Sequence, residues 1–272
     1  MPMDVKLGPV IDFHAHHPNE PDFADRLVDL LPQAGIDTMC LCSAGAAFGH
    51  APNDAILRAA QRHPGRIVAL ALIELGKDPP ALVDEYAAQG YRGFKITDPR
   101  GPYDQEAYFP IYERMERTAL PLLAHTGILM RTRMAPGRRV NSRWMRPVCL
   151  DAVVRSFPGL NVVGAHLGVP WHEEASMMAR MHPNYYVDLT GAWWGGWRAN
   201  KSADFYRYHF FWEGAWDKVL FGTDILRLEE LLPAKRLHDE LIEQLGLPDQ
   251  AVRNIYGNTA ARLLARQPCR IE

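Results

Sequence analysis

Eight short apolar runs alternating with helix-like stretches predict a (β/α)8 barrel, an α/β fold occupying residues 1–272 as a single domain. Two further observations support this reading. The runs are nearly continuously apolar, as parallel strands covered on both faces are. The length of 272 residues suits a barrel, which typically takes ~250. An open doubly wound sheet is the rival, but no Gly-rich phosphate loop follows the first run.

The runs read as strands are VIDFHAH (10–16), TMCLCSA (38–44), RIVALALIEL (66–75), RGFKIT (92–97), PLLAHTG (121–127), LNVVGAHLG (160–168), YYVDLTG (185–191) and KVLFGTD (218–224). Helices are expected over 23–35, with Pro32 in the last turn, and over 53–63, with Asn53 as N-cap. Others are expected over 79–90, closed by Gly90, and over 107–119, 146–158, 203–214 and 226–246, with a terminal helix at about 249–266. The longest non-helical stretch, roughly 128–145, follows the fifth strand, where a long loop is commonly functional.

Composition narrows the function. A formal net charge of −2 gives no electrostatic reason to bind nucleic acid or an anionic membrane. No run of 18 apolar residues could span a bilayer, and the first ten residues lack the apolar stretch of a signal peptide. Cysteines 40, 42, 149 and 269 form no CxxC pair or dense disulfide framework, so a cytoplasmic location is expected. The Leu- and Met-rich surroundings of Cys40 and Cys42 read as core.

The chemistry gathers at the strand ends. Residues i and i+2 of a strand share a face, so His14 and His16 project together at the end of the first strand. His125, His166 and Asp224 end the fifth, sixth and eighth strands. The C-terminal end of a barrel is its active-site mouth, so these five side chains converge there. Burying them unpaired would cost ~1–3 kcal/mol each, whereas imidazoles and a carboxylate together suit a divalent cation. Zinc is the first choice, with manganese, iron and cobalt as alternatives. A catalytic zinc keeps a position for water and lowers its pKa to about 7.

The segments DFHAH (12–16), FKI (94–96), LAHTG (123–127), GAHLG (164–168), LFGTD (220–224) and IYGNTAARLL (255–264) resemble the amidohydrolase superfamily over nearly the whole chain. The likeness is strongest to the amidohydrolase-related branch that includes aminocarboxymuconate semialdehyde decarboxylase. The resemblance implies that His14, His16, His125 and Asp224 ligate one metal ion. It implies that His166 activates or positions the water, or contacts substrate. For Lys95 it leaves three roles open: a carboxylated bridge between two metals, a substrate-binding group, or a structural ion pair.

Arg131, Arg133, Arg138, Arg139 and Arg143 follow the fifth strand. They fit either an anionic small-molecule substrate, with Arg139 as a contact, or a solvated basic loop. Trp193, Trp194 and Trp197 follow the seventh strand, and Trp171 follows His166. They wall a planar substrate, with Trp193 foremost, or pack the core and an interface; a homo-oligomer is compatible with the latter. His17 is expected to be structural, and His50, His63, His172, His182, His209 and His238 to be surface or packing residues. The expected reaction is hydrolysis of an amide, lactone or ester through a metal-activated water, with Asp224 carrying the proton. The alternative is non-oxidative decarboxylation of an aromatic or unsaturated acid, with His166 or Asp224 protonating carbon. A non-enzymatic metal-binding scaffold is the outsider.

Overall fold

The computed structural model describes residues 8–129, 140–191 and 201–265. Eight strands alternate with helices along the chain. They are β1 (Ile11–His16), β2 (Thr38–Cys42), β3 (Ile67–Leu72), β4 (Phe94–Ile96), β5 (Leu122–Ala124), β6 (Val162–Gly164), β7 (Tyr185–Asp188) and β8 (Val219–Leu220). The helices between them are α1 (Phe23–Ala34), α2 (Asn53–Arg62), α3 (Ala81–Gln89), α4 (Phe109–Thr118), α5 (Asp151–Ser156), α6 (His172–Met181) and α7 (Ala203–His209). Then follow α8 (Leu231–Leu245), α9 (Asp249–Arg253) and α10 (Thr259–Leu264).

Neighbouring strands pair in parallel in chain order, β1 to β8. The segment after β8 returns to β1: Phe13 N–H donates to Phe221 C=O at 3.0 Å, Asp224 N–H to His14 C=O at 2.6 Å and His16 N–H to Ile225 C=O at 2.8 Å. The sheet thereby closes into the expected (β/α)8 barrel. Two apolar layers hold it. Ile11, Phe13, Cys40, Cys42, Leu70, Leu123, Val163 and Leu220 form one buried cluster, with Ala260 and Leu263 of α10 joining it. The larger cluster lies between strands and helices, with Leu27, Leu31, Ile56, Val83, Ile111, Val153 and Leu241 on the helix side. The IYGNTA segment passes close to the start of β1: a Cβ on Gly257 would lie 1.7 Å from the Pro9 carbonyl oxygen, so only glycine fits.

Three local expectations are corrected. The ladders of β5, β6 and β8 end at Ala124, Gly164 and Leu220, so His125, His166 and Asp224 stand just beyond the strands rather than in them. His166 (φ 63°), Leu167 (φ 45°) and Asp224 (φ 58°) are left-handed, which no strand accommodates. Asn53 does not cap α2; its amide instead pairs with both the N–H and the C=O of Leu72 at 2.9 Å, tying α2 to β3. Finally, α6 was not evident in the sequence. Its buried face is made of small and adaptable residues, Ala175, Ser176, Met178 and Ala179, while Met177 and Met181 face solvent, so the apolar periodicity is blurred.

Candidate metal centre

In β1 the parallel register with β2 slips between Asp12 and Ala15, a bulge that re-aims the histidines. The His14 and His16 rings lie 5.1 Å apart at the mouth. Gly222 lets β8 approach: a Cβ there would meet His14 Cβ at 3.0 Å. The left-handed backbone of Asp224, which costs of order 1–3 kcal/mol, turns its carboxylate back over both rings. One oxygen, Asp224 Oδ1, is 3.4 Å from His14 Nε2 and 3.1 Å from His16 Nε2. The other oxygen lies 3.8 Å from His166 Nδ1.

The hydrogen bonds fix the tautomers. His14 Nδ1 donates to Asp188 Oδ2 at 2.9 Å, and His16 Nδ1 faces the Cys42 carbonyl at 3.3 Å. Thr190 Oγ1 donates to Asp188 Oδ1 at 2.5 Å and therefore accepts from His166 Nδ1 at 2.7 Å. His166 Nε2 in turn accepts from His125 Nδ1 at 3.2 Å. Each of His14, His16 and His125 thus carries its proton on Nδ1 and keeps the Nε2 lone pair. His125 Nε2 is buried and without a hydrogen-bond partner among the described residues. Burial first, then the Lys95 charge, pulls the His14 and His16 pKa values down to about 3. His125 is held well below the usual range by burial and by His166. These rings are neutral at physiological pH.

Asp224 Oδ1 therefore faces two lone-pair-bearing nitrogens, His14 Nε2 and His16 Nε2. The two separations from Asp224 Oδ1, 3.4 and 3.1 Å, are close to the ~3.3 Å edge of a tetrahedron with zinc-length arms. The donor types of His14, His16 and Asp224 fit a divalent cation, and His125 Nε2 is a further buried lone pair without a hydrogen-bond partner among the described residues. Among the described residues, two groupings of ligand-type atoms lie within 4.8 Å of one another: His14 with His16 and Cys42, and His14 with His166 and Asp224.

Several residues here carried no role in the sequence reading. Asp188, at the end of β7, also accepts from the backbone N–H groups of His166 (2.8 Å) and Thr190 (3.0 Å). Burial acts to raise its pKa, but His14, His166 and Thr190 hold it well below the usual carboxylate range. Its signal was available, since it is a carboxylate standing inside the apolar seventh run, YYVDLTG. Asp12 accepts from Thr223 Oγ1 (2.5 Å), Thr223 N–H and His14 N–H (both 3.1 Å), linking β1 to the residue before Asp224. Burial pushes its carboxyl up to about 7, against those hydrogen bonds. Cys42 is core as expected, yet its Sγ also lies 3.4 Å from His16 Nδ1. His50, expected to be incidental, is buried with its ring 4.5 Å from that of His16.

The remaining expected residues separate. Lys95 is buried, with Nζ 3.1 Å from His14 Nε2. His17 turns away and packs on Phe23. Arg143 is exposed. Trp171 lies under the Arg146 guanidinium at 5.3 Å. His63 and His182 pair with Asp25 and Asp151. Arg131, Arg133, Arg138, Arg139, Trp193, Trp194 and Trp197 lie outside the described residues.

Comparison with known proteins supports the barrel fold. No curated protein matches the chain. Among solved structures, an uncharacterised TIM-barrel protein from Bordetella bronchiseptica superposes with a TM-score of 0.74 at 21% identity, covering 95% of this chain and 99% of its own. Amidohydrolase 2 from Bifidobacterium longum subsp. infantis gives 0.63 at 15% identity, with coverages of 95% and 99%. A protein titled a probable 2-pyrone-4,6-dicarboxylic acid hydrolase, from Acinetobacter baumannii, gives 0.65 at 15% identity, with coverages of 94% and 99%. The amidohydrolase family matches residues 11–266, so nearly all of the barrel and the whole histidine–aspartate mouth fall within it, and the chain belongs to that family.

Proposed function

We propose that this chain is a metal-dependent hydrolase that cleaves an amide, lactone or ester bond in a small, planar, acidic substrate. The observation that carries the reading is the convergence of Asp224 Oδ1 with the Nε2 lone pairs of His14 and His16. A carboxylate oxygen this close to two ring lone pairs is repelled by them unless a cation lies between, and among these atoms Lys95 Nζ contacts only His14 Nε2. His14, His16, His125 and Asp224 would hold one divalent ion, zinc first, and when bound it supplies Lewis-acid polarisation of a carbonyl and of water.

The protein's own residues supply the rest. Asp224 straddles the ligand nitrogens and His166, so it can take a proton from the attacking water and return it to the leaving group. His166 is held in place by Thr190 and Asp188 and orients the reacting groups beside Asp224. Lys95, Arg139 and Trp193 are the groups proposed to bind the substrate's carboxylate and planar face.

The test is elemental analysis of protein purified without chelators, followed by turnover assays. About one equivalent of divalent metal per chain is expected. A panel of lactones, amides and aromatic acids, with 2-pyrone-4,6-dicarboxylic acid among them, should show ring or amide opening. Release of carbon dioxide instead would make the enzyme a decarboxylase. Far less than an equivalent of metal, unrestored by zinc, manganese or cobalt, would overturn the reading.

A further inference from the structure

Lys95 stands where a cation would stand. Its side chain leaves β4 and is almost fully buried, at 1% exposure. Asp188 accepts the Nδ1 proton of His14, so His14 Nε2 presents a lone pair, and the Lys95 ammonium donates to it at 3.1 Å. This is the hydrogen bond that Nζ makes among the described residues. A divalent ion bound to Nε2 would need the same lone pair that Lys95 Nζ occupies at 3.1 Å. Two positive centres cannot share it.

We propose that Lys95 is an internal competitor for the metal centre: its ammonium caps the His14 lone pair in the metal-free chain and must leave it before the ion can bind. The inference rests on the metal-dependent reading above. It explains how a buried cluster of lone pairs is tolerated without an ion, since the ammonium neutralises part of the repulsion. It also sets the metal affinity below what the bare ligands would reach. Once displaced, the ammonium becomes a free donor at the mouth only in the loaded chain, where an anionic substrate would use it.

Lys95→Gln and Lys95→Met remove the charge while keeping much of the stem. Each would be stripped of metal, checked for fold by circular dichroism, and titrated with zinc against a chromophoric chelator. Losing a competing charge-assisted hydrogen bond should tighten zinc binding by about 10- to 100-fold relative to wild type. In the wild-type chain, the Lys95 side-chain resonances should shift as zinc is added, a readout independent of either variant folding. Equal or weaker zinc binding by the folded variants, or unmoved Lys95 resonances in a zinc-loaded wild type, would overturn the competition. If zinc binds to all three chains equally, the metal reading stands and only this inference fails. If zinc binds to none of them, the metal reading fails with it.

Discussion

Asp188 Oδ2 receives the Nδ1 proton of His14 across 2.9 Å, and both side chains are fully buried although 174 residues separate them in sequence. The contact decides which nitrogen of His14 keeps its lone pair, and so whether His14 can be a ligand at all. Asp188→Asn should therefore weaken metal binding by about 10- to 100-fold while the barrel remains folded. Chelator competition and circular dichroism on one preparation check this. Unchanged affinity would mean that His14 finds its tautomer without the carboxylate.

His166→Ala should lose most turnover yet keep its metal. The Nδ1 of His166 is committed to Thr190, and its Nε2 is committed to His125, so neither nitrogen is a free lone pair facing Asp224 Oδ1. A fall in kcat of about 10²–10⁴ is the range for groups that position or transfer a proton. Metal analysis beside turnover separates the roles, because an emptied site would make His166 a ligand.

Asp224→Asn should keep the fold and part of the metal, since one amide oxygen can still face His14 and His16. It removes the base, so kcat should drop by about 10²–10⁴. A folded, metal-loaded variant with near wild-type turnover would transfer the proton-carrying role to His166.

Acid stability should depend on His209. Its ring is buried against Phe205 at 4.6 Å, with His172 at 5.8 Å, Tyr208 at 5.1 Å and Ser176 Oγ at 3.4 Å from Nδ1. Burial, then His172, pulls its pKa from 6.5 down to about 4; Glu173 opposes this and Lys201 adds to it. The folded chain keeps the ring neutral, while the unfolded chain takes up a proton below 6.5. The stability it contributes is thus complete above pH 6.5 and is lost as the pH falls toward about 4. His209→Phe should show a smaller drop in Tm than wild type between about pH 7 and about pH 4.5. Parallel drops would place the acid sensitivity elsewhere.

The barrel and most of the mouth were legible in the sequence because they rest on local patterns. Parallel strands covered on both faces must be continuously apolar, so all eight appeared, with ends accurate to a few residues. Where the sequence pattern misled, packing had overridden it. The small residues Ala175 and Ala179 hid α6, and the left-handed turns at His166 and Asp224 cut strands that their apolar runs seemed to prolong.

By itself the sequence determined that His14, His16, His125, His166 and Asp224 would gather at one end of a barrel. A polar residue that closes an apolar run has one place to go once the strands are parallel. The tertiary structure alone decided how those groups face one another. Asp188 and Asp12 became anchors of the mouth, Cys42 and His50 came to lie against His16, and the Lys95 ammonium came to rest on His14. None of these pairings has a sequence period. Each joins strands or loops that only barrel closure brings within hydrogen-bonding distance, and in a buried site every lone pair and proton must find its partner there or be left without one.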